Sequence, residues 1–307
     1  MNSTETKTEF KKKAKCEIYN DSMQNWKKYN PQKAQLIIAD VPYNVGTNFY
    51  GSNPTWYIGG DNKNGESEKA ARAAFYSDFN FNLYEFFHFG SQLLKKEPTR
   101  GGERGKSSDA PCMIVFCSFQ QLSTMIDAAA KHGFIHYIPL VFCKNSSGQA
   151  LKVNMRIVGA TEYALLFYKS YLPKFRNGTK ADGKGNMVLN WFEDNSGEEW
   201  GASLWMMWGK DGADIPKVHP TQKPVNLLKR LIELFTDEGD VVIDPCAGSG
   251  STGRACIELG RSFYGFEISK EFYNKAKEQM LNTSYSPKEK QIDGQITLED
   301  IFNTGKE

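Results

Sequence analysis

Residues 227–266 constrain the fold of this chain more than any other segment. Apolar side chains at helical spacing predict a helix over 227–235, and the unbroken apolar run Val241–Ile243 predicts a buried strand. A glycine-rich loop, a helix over 252–259 and a second strand over 263–266 follow. Short apolar strands that alternate with amphipathic helices are typical of a parallel sheet covered on both faces.

The same alternation recurs in the first half of the chain. Strands are predicted at Leu36–Ala39 and Met113–Phe116, each followed by apolar residues at helical spacing. The first helical pattern carries Phe75, Phe79, Leu83 and Phe86, and the second carries Leu122, Met125, Ile126 and Ala129. We therefore expect an α/β fold with a doubly wound, mostly parallel, Rossmann-like sheet.

Polar stretches interrupt this pattern at 50–74, 97–110 and 171–217. Long insertions in a compact domain are usually functional or disordered, so we interpret these as substrate-facing loops or a small subdomain. Residues 1–15 and 284–307 contain too few apolar side chains to offset the entropy of ordering, and we expect flexible tails there.

Composition excludes several classes of protein. The chain has 307 residues, of which 40% are hydrophobic and 24% charged, as in a globular protein. No apolar run approaches the ~20 residues that cross a bilayer, and the polar N-terminus lacks a signal-peptide pattern. Six cysteines are too sparse for a disulfide scaffold, and none forms a CxxC pair of the zinc-site type. We expect a cytoplasmic protein, without membrane contact and without a metal.

The glycine-rich loop has the features of a nucleoside-binding site. Asp244–Gly250 follows a buried strand and precedes a helix, and Glu267 ends the next strand. Glycines let the backbone approach a ligand at a helix N-terminus, and a carboxylate at the second strand end can accept hydrogen bonds from ribose hydroxyls. Gly253 completes a GxGxxG pattern, so the loop alone leaves a nicotinamide cofactor open. The carboxylate of Asp244 favours a ligand with an ammonium group, because it would repel a pyrophosphate.

A second motif, Asp40-Val41-Pro42-Tyr43-Asn44, follows the first predicted strand. It places a carboxylate at the carboxyl end of a central strand, which is where ligands bind in open α/β sheets. The alternative interpretation is a turn that ends the strand, with the tyrosine in the core.

These motifs resemble those of the class β DNA amino-methyltransferases. Asp40–Tyr43 is similar to their Asp-Pro-Pro-Tyr motif, Asp244–Gly250 to their S-adenosylmethionine loop, and His219–Pro224 to the segment before that loop. The catalytic motif precedes the cofactor motif, as in class β, and the resemblance covers about 17–280. Two positions depart from the family pattern: Val41 stands where the family has proline, and Cys246 stands where the family often has phenylalanine.

The resemblance implies roles for individual residues. The Asp40 carboxylate and the Val41 carbonyl would accept hydrogen bonds from an exocyclic amine, and Tyr43 would stack on a flipped base. Val41 precedes Pro42 and is therefore still biased toward an extended conformation. The implied cofactor-binding residues are Asp21, Thr221, Lys223, Asp244, Cys246, Gly248, Gly250 and Glu267. A helix cap is the alternative for Asp21, and His219 is interpreted as a loop-structuring residue rather than a base.

Charge is segregated between residues 151 and 216. Residues 151–186 contain seven basic and two acidic side chains, whereas 187–216 contain one basic and six acidic side chains. The basic part indicates contacts with DNA phosphates, although a solvated basic face would give the same pattern. The candidate DNA-binding residues are Lys152, Arg156, Lys174 and Arg176.

We therefore expect an S-adenosylmethionine-dependent methyltransferase that acts on the N6 amine of adenine in double-stranded DNA, as in restriction–modification systems. Asp40 favours adenine, because family members that act on the cytosine amine more often carry serine there. A cytosine-N4 enzyme, an RNA methyltransferase and a non-catalytic DNA-binding module with a degenerate cofactor site are the alternatives.

The resemblance also implies a division of the chain and a cellular context. It predicts a catalytic half over 16–170, a target-recognition region over 171–217 and a cofactor-binding half over 218–283. An association with the nucleoid is expected, and a homodimer is compatible with this organisation.

Overall fold

The computed structural model describes residues 14–43, 81–99, 109–144, 160–177, 188–194, 206–208, 211–219 and 221–283. These residues form a sheet of nine strands with helices on both faces. The strands are β1 (Cys16–Tyr19), β2 (Leu36–Asp40), β3 (Cys112–Cys117), β4 (His136–Cys143), β5 (Thr161–Tyr168), β6 (Trp191–Asp194), β7 (Met206–Trp208), β8 (Val241–Asp244) and β9 (Ser262–Phe266). The α-helices are α1 (Leu83–Leu93), α2 (Leu122–Ala130), α3 (Val225–Phe235), α4 (Ser251–Glu258) and α5 (Lys270–Lys275). Short 3-10 helices span Met23–Lys28 and Phe119–Gln121, and a π-helical turn spans Ala276–Met280.

The strand order is β1-β9-β8-β2-β3-β5-β4-β6-β7. Strand β5 pairs antiparallel with both β3 and β4, and every other pairing of the described strands is parallel. Among these strands, β5 alone therefore runs against the others. The carboxyl ends of the other strands and the amino end of β5 share one side of the sheet, which we call the carboxyl edge. The predicted doubly wound, mostly parallel sheet is confirmed.

The central strands bury side chains on both faces. Ile38 and Ile114 lie in one core with the apolar face of α3 and with part of α4. Ile37 and Met113, their neighbours in sequence, lie in a second core with α1 and α2. Alternate side chains of a strand point to opposite faces, so a strand covered on both sides is apolar at every position. This explains the unbroken apolar runs in the sequence.

Helix α1 begins at Leu83 because the side chain of Asn82 accepts hydrogen bonds from two backbone N–H groups of the first turn. The predicted helical pattern extends back to Phe75 and Phe79. These two residues and the predicted insertion at 50–74 lie outside the described residues.

The structure corrects the prediction that the whole of 171–217 lies outside the sheet. Strand β6 pairs with the last three residues of β4, from Val141 to Cys143, and β7 pairs with β6. Both strands belong to this stretch. They have only four and three residues, too few to show a periodic pattern in a polar segment.

The predicted N-terminal tail over 1–15 extends too far. The carbonyl oxygen of Lys15 accepts a hydrogen bond from the backbone N–H of Phe263 at 2.7 Å, so the backbone at this position joins the sheet. The rest of that tail up to residue 13 and the tail predicted over 284–307 lie outside the described residues. Within the part of the chain that the structure describes, no helix is long and apolar enough to cross a bilayer.

Candidate active site

The glycine-rich loop joins β8 to α4 at the carboxyl edge. Gly248 (φ 49°) and Gly250 (φ 80°) adopt left-handed backbone conformations that other residues rarely adopt. A Cβ atom built on Gly248 would meet, among the described residues, only the Cys246 carbonyl oxygen at 3.8 Å. The outer side of the loop is therefore open, and its backbone can approach a ligand at the start of α4.

Glu267 follows β9 and faces this loop. Its Oε2 accepts a hydrogen bond from the Gly248 N–H at 2.8 Å, and its Oε1 accepts one from the Ser269 N–H at 2.7 Å. Burial raises the pKa of this carboxyl above its ordinary value. The carboxylate retains capacity to accept a hydrogen bond from a ribose hydroxyl, so the loop and Glu267 together fit a nucleoside.

Asp244 is the last residue of β8, and Cys246 lies in the loop that follows. Burial raises the pKa of Asp244 to about 7, although Thr252 Oγ1 (2.6 Å) and the Cys246 N–H (2.9 Å) both donate hydrogen bonds to its carboxylate. Burial also raises the pKa of the Cys246 thiol well above its ordinary value, and the carboxylates around it add to that effect. The thiol therefore stays protonated and is a poor nucleophile.

Asp21 lies beyond the end of β1, beside the strand that Glu267 follows. The Glu267 N–H donates to the carbonyl oxygen of Tyr19 at 3.0 Å, which ties the two strand ends together. Asp21 accepts hydrogen bonds from Asn25 Nδ2 and the Tyr29 hydroxyl, both at 2.7 Å, and these lower its pKa to about 2. The carboxylate thus organises the turn that follows β1 and lies at the same edge as the loop.

Asp40 is the last residue of β2, next to β8. Its Oδ2 accepts a hydrogen bond from Lys223 Nζ at 2.8 Å. Its Oδ1 is buried and has no hydrogen-bond partner among the described residues. A buried polar atom without a partner is unusual in a folded protein and commonly marks a binding or catalytic site. The chain connects β2 and β8 onward in opposite directions, so Asp40 lies at the switch point where doubly wound sheets bind ligands.

The residues after Asp40 are held by the 3-10 helix that follows β3. Gln121 Nε2 donates a hydrogen bond to the Pro42 carbonyl oxygen at 2.8 Å, and the Val41 side chain is 2% exposed. Burial raises the pKa of the Tyr43 phenol well above its ordinary value, with the Asp40 charge adding to the effect. The Tyr43 phenol therefore stays protonated at neutral pH. The sequence analysis missed Gln121, because its role depends on a contact between distant segments.

Lys223, which was predicted to bind the cofactor, forms ion pairs with two carboxylates instead. Its ammonium group contacts Asp40 and Glu162 Oε2 (3.1 Å), and the sequence analysis did not anticipate either ion pair. Thr221 is exposed, and its N–H and hydroxyl lie 3.2 and 3.0 Å from His219 Nδ1. Burial lowers the pKa of His219, which favours the neutral ring and the predicted loop-structuring role.

Two of the predicted DNA-binding residues, Lys174 and Arg176, lie away from this site. Lys174 pairs with Asp237 and Asp240 at 2.7 Å, next to the start of β8. Arg176 pairs with Asp237 at 2.9 Å and with Asp109 at 2.8 Å. These ion pairs lie at the amino ends of β3 and β8, opposite the carboxyl edge. The other two candidates, Lys152 and Arg156, lie outside the described residues.

Comparison with known proteins decides the family of this chain. A family model for the N6/N4 type, described as DNA methylase, matches residues 34–278, which include both motifs. The chain belongs to the DNA methylase family. It methylates DNA and uses S-adenosylmethionine as the methyl donor, as the sequence analysis predicted.

This methylase is similar in sequence to several named methyltransferases. It is 28% identical to the DNA adenine methyltransferase YhdJ of Escherichia coli (strain K12) over 286 residues, 86% of this chain and 82% of that protein. A shorter match is the type II methyltransferase M.HindIII of Haemophilus influenzae, 52% identical over 58 residues and 19% of each chain.

Two solved structures share the fold of the methylase. The M1.HpyAVI–SAM complex superposes with a TM-score of 0.54 at 23% identity, covering 87% of this chain and 100% of that one. The PvuII DNA methyltransferase, which is cytosine-N4-specific, superposes with a TM-score of 0.52 at 16% identity, covering 90% and 91%. The likeness shows the methyltransferase fold.

Proposed function

We propose that this methylase modifies the N6 amine of adenine at specific sites in double-stranded DNA. The observation that carries the proposal is the buried Oδ1 of Asp40, which has no partner among the described residues and lies at the carboxyl edge near the glycine-rich loop. An exocyclic amine is the donor that such an acceptor would complement. A relative named DNA adenine methyltransferase, matched over 82% of its length, supports adenine as the target base.

The chemistry of the target explains why acceptors are needed. The lone pair of an exocyclic amine is delocalised into the base, so the amine is a weak nucleophile. Asp40 Oδ1 would accept one N–H of the amine and the Val41 carbonyl the other, which favours a tetrahedral nitrogen with a localised lone pair. As the new N–C bond forms, the nitrogen becomes positively charged, and Asp40 is placed to stabilise that charge until a proton leaves.

The residues that would hold S-adenosylmethionine are those of the loop and the neighbouring strand ends. Gly248 and Gly250 would let the ligand lie close to the backbone of the loop. Glu267 would accept hydrogen bonds from the ribose hydroxyls, and Asp244 would contact the ammonium group. The remaining candidates are Asp21, Cys246 and Thr221. When bound, S-adenosylmethionine supplies a methyl group bonded to a positively charged sulfur, which an amine lone pair can displace.

Tyr43 would receive the base once it leaves the duplex. The target base must be flipped out of the DNA duplex before its amine can reach Asp40, at a cost of a few kcal/mol. A neutral aromatic ring offers a stacking partner worth about 1–3 kcal/mol per base. The Tyr43 ring therefore offsets part of the cost of flipping.

Recognition of the DNA sequence would come from residues 171–217, with phosphate contacts from Lys152 and Arg156. This region lies in the chain between the catalytic and cofactor-binding halves, and two of its segments, β6 and β7, extend the sheet beyond β4. Loops carried on a rigid sheet are common sites of specific binding.

Mass spectrometry of nucleosides tests the proposal. Unmethylated genomic DNA is incubated with the full-length protein and S-adenosylmethionine, digested and analysed. N6-methyldeoxyadenosine is the expected product. N4-methyldeoxycytidine would overturn the choice of adenine, and no methylated nucleoside from any DNA would favour a binding module that has lost catalysis.

A further inference from the structure

Lys223 is shared between two carboxylates at the carboxyl edge. Its side chain is 12% exposed, and its ammonium group lies 2.8 Å from Asp40 Oδ2 and 3.1 Å from Glu162 Oε2. The same nitrogen lies 5.0 Å from the centre of the Phe116 ring, on the strand between them. A lysine side chain has many rotamers, so two anchors on opposite sides fix its position better than one.

Glu162 reaches this position because β5 is antiparallel. It is the second residue of β5, and the pairing of Cys117 with Tyr163 places the start of β5 beside the end of β3. Its Oε1 accepts a hydrogen bond from Lys144, which follows β4. Glu162 thus links the ends of β4 and β5 to Lys223.

The charges in this group balance. Burial alone would lower the pKa of Lys223, but Asp40 and Glu162 raise it well above its ordinary value. Burial alone would raise the pKa of Glu162, but Lys223 and Lys144 lower it to about 2. Both side chains therefore stay ionised at neutral pH, and a neutral base can enter beside Asp40 without meeting an unpaired charge.

We propose that Glu162 is a positioning residue for methyl transfer: it holds Lys223 against Oδ2 of Asp40, so that Oδ1 faces the target amine. Glu162 acts through Lys223 and does not touch the amine itself. The inference rests on the proposed role of Asp40, and it adds two residues to that role. Without Glu162, Lys223 keeps a single anchor and the Asp40 carboxylate is free to rotate away from the amine.

The experiment compares four full-length variants: Glu162→Gln, Lys223→Met, the double variant of both, and Glu258→Gln as a control. Glu258 also pairs with a lysine, Lys229, at 2.8 Å, but it lies at the far end of α4 from the loop. Methyl transfer is measured in single turnover as labelled methyl groups incorporated into DNA. Affinity for S-adenosylmethionine is measured by calorimetry and stability by thermal unfolding.

Glu162→Gln is expected to slow transfer by about 10- to 100-fold, the loss that a misplacement of ~1 Å causes. Its cofactor affinity and melting temperature should change no more than those of Glu258→Gln. The double variant should be no slower than Lys223→Met, because Glu162 acts only through Lys223. Should Lys223→Met fail to fold, Lys223→Gln replaces it in the cycle.

Three results would overturn the inference. They are a wild-type transfer rate in Glu162→Gln, a loss of rate that merely follows a loss of stability, and a double variant whose loss is the product of the single losses. The assay measures the labelled methyl groups incorporated into DNA, whichever base receives them. A cytosine product would therefore overturn the adenine assignment while the comparison of variants still decides the role of Glu162.

Discussion

Asp244 combines burial with a predicted contact to a cation. The side chain is 4% exposed, and burial holds its pKa at about 7, so close to neutral pH a large share of the carboxyl groups carry a proton. If the ammonium group of S-adenosylmethionine lies against Asp244, it stabilises the ionised form and lowers the pKa in the complex. Binding then expels a proton from Asp244.

Cofactor binding should therefore depend on pH below neutrality. Because the free protein binds the proton and the complex does not, affinity should rise with pH by up to about tenfold per unit below pH 7 and level off above it. Calorimetry in buffers of different ionisation enthalpy measures the released proton directly. Asp244→Asn should abolish the release, and a wild-type protein that releases none near pH 6.5 would show that the ammonium group binds elsewhere.

At the scale of elements, the antiparallel strand β5 completes the site. Without its reversal, Glu162 would lie at the opposite edge of the sheet from Asp40. The βαβ unit around Asp244 and the strand before Asp40 could be predicted because their signals are local: apolar runs, glycines and a carboxylate at a strand end. The partners Glu162 and Gln121 could not, since they reach the site only through pairing between distant strands.

The two short strands β6 and β7 limit how the proposed recognition region can be exchanged. Replacing 171–217 by the segment of a relative, while retaining Trp191–Asp194 and Met206–Trp208, should change the methylated sequence and preserve the sheet. Sequencing of methylated sites gives the new specificity, and cofactor affinity with thermal unfolding confirms that the fold is intact. An active chimera with the original specificity would assign recognition elsewhere, most simply to 50–74.

At the scale of the whole molecule, the two edges of the sheet carry different groups of charges. The carboxyl edge holds the candidate site with the ion pairs of Lys223, whereas the amino edge holds a separate cluster of ion pairs around Lys174 and Arg176. Lys174 is 8% exposed and also donates its backbone N–H to the carbonyl oxygen of Ala110 at 3.0 Å. Its partners Asp237 and Asp240 lie just before the start of β8. We interpret this cluster as a structural tie between β8 and the segment after β5.

Lys174→Met separates this structural role from DNA binding. Two carboxylates lose a cation, and we expect the free energy of unfolding to fall by about 1–3 kcal/mol. Denaturant titration measures that change. The salt dependence of DNA affinity should match the wild type, whereas a residue that contacts a phosphate would reduce the slope by about one. A reduced slope with unchanged stability would restore Lys174 as a DNA contact.

The most direct test of the account is the separation of chemistry from cofactor binding in Asp40→Ala. Asp237→Ala, at the amino edge, removes a carboxylate away from the site and serves as the control. Single-turnover methylation by Asp40→Ala should fall by about 10³-fold or more, while affinity for S-adenosylmethionine stays within about threefold of wild type, because the loop and Glu267 are untouched. A variant that keeps more than about a tenth of the wild-type rate would show that Asp40 is structural and contradict the assignment of the site.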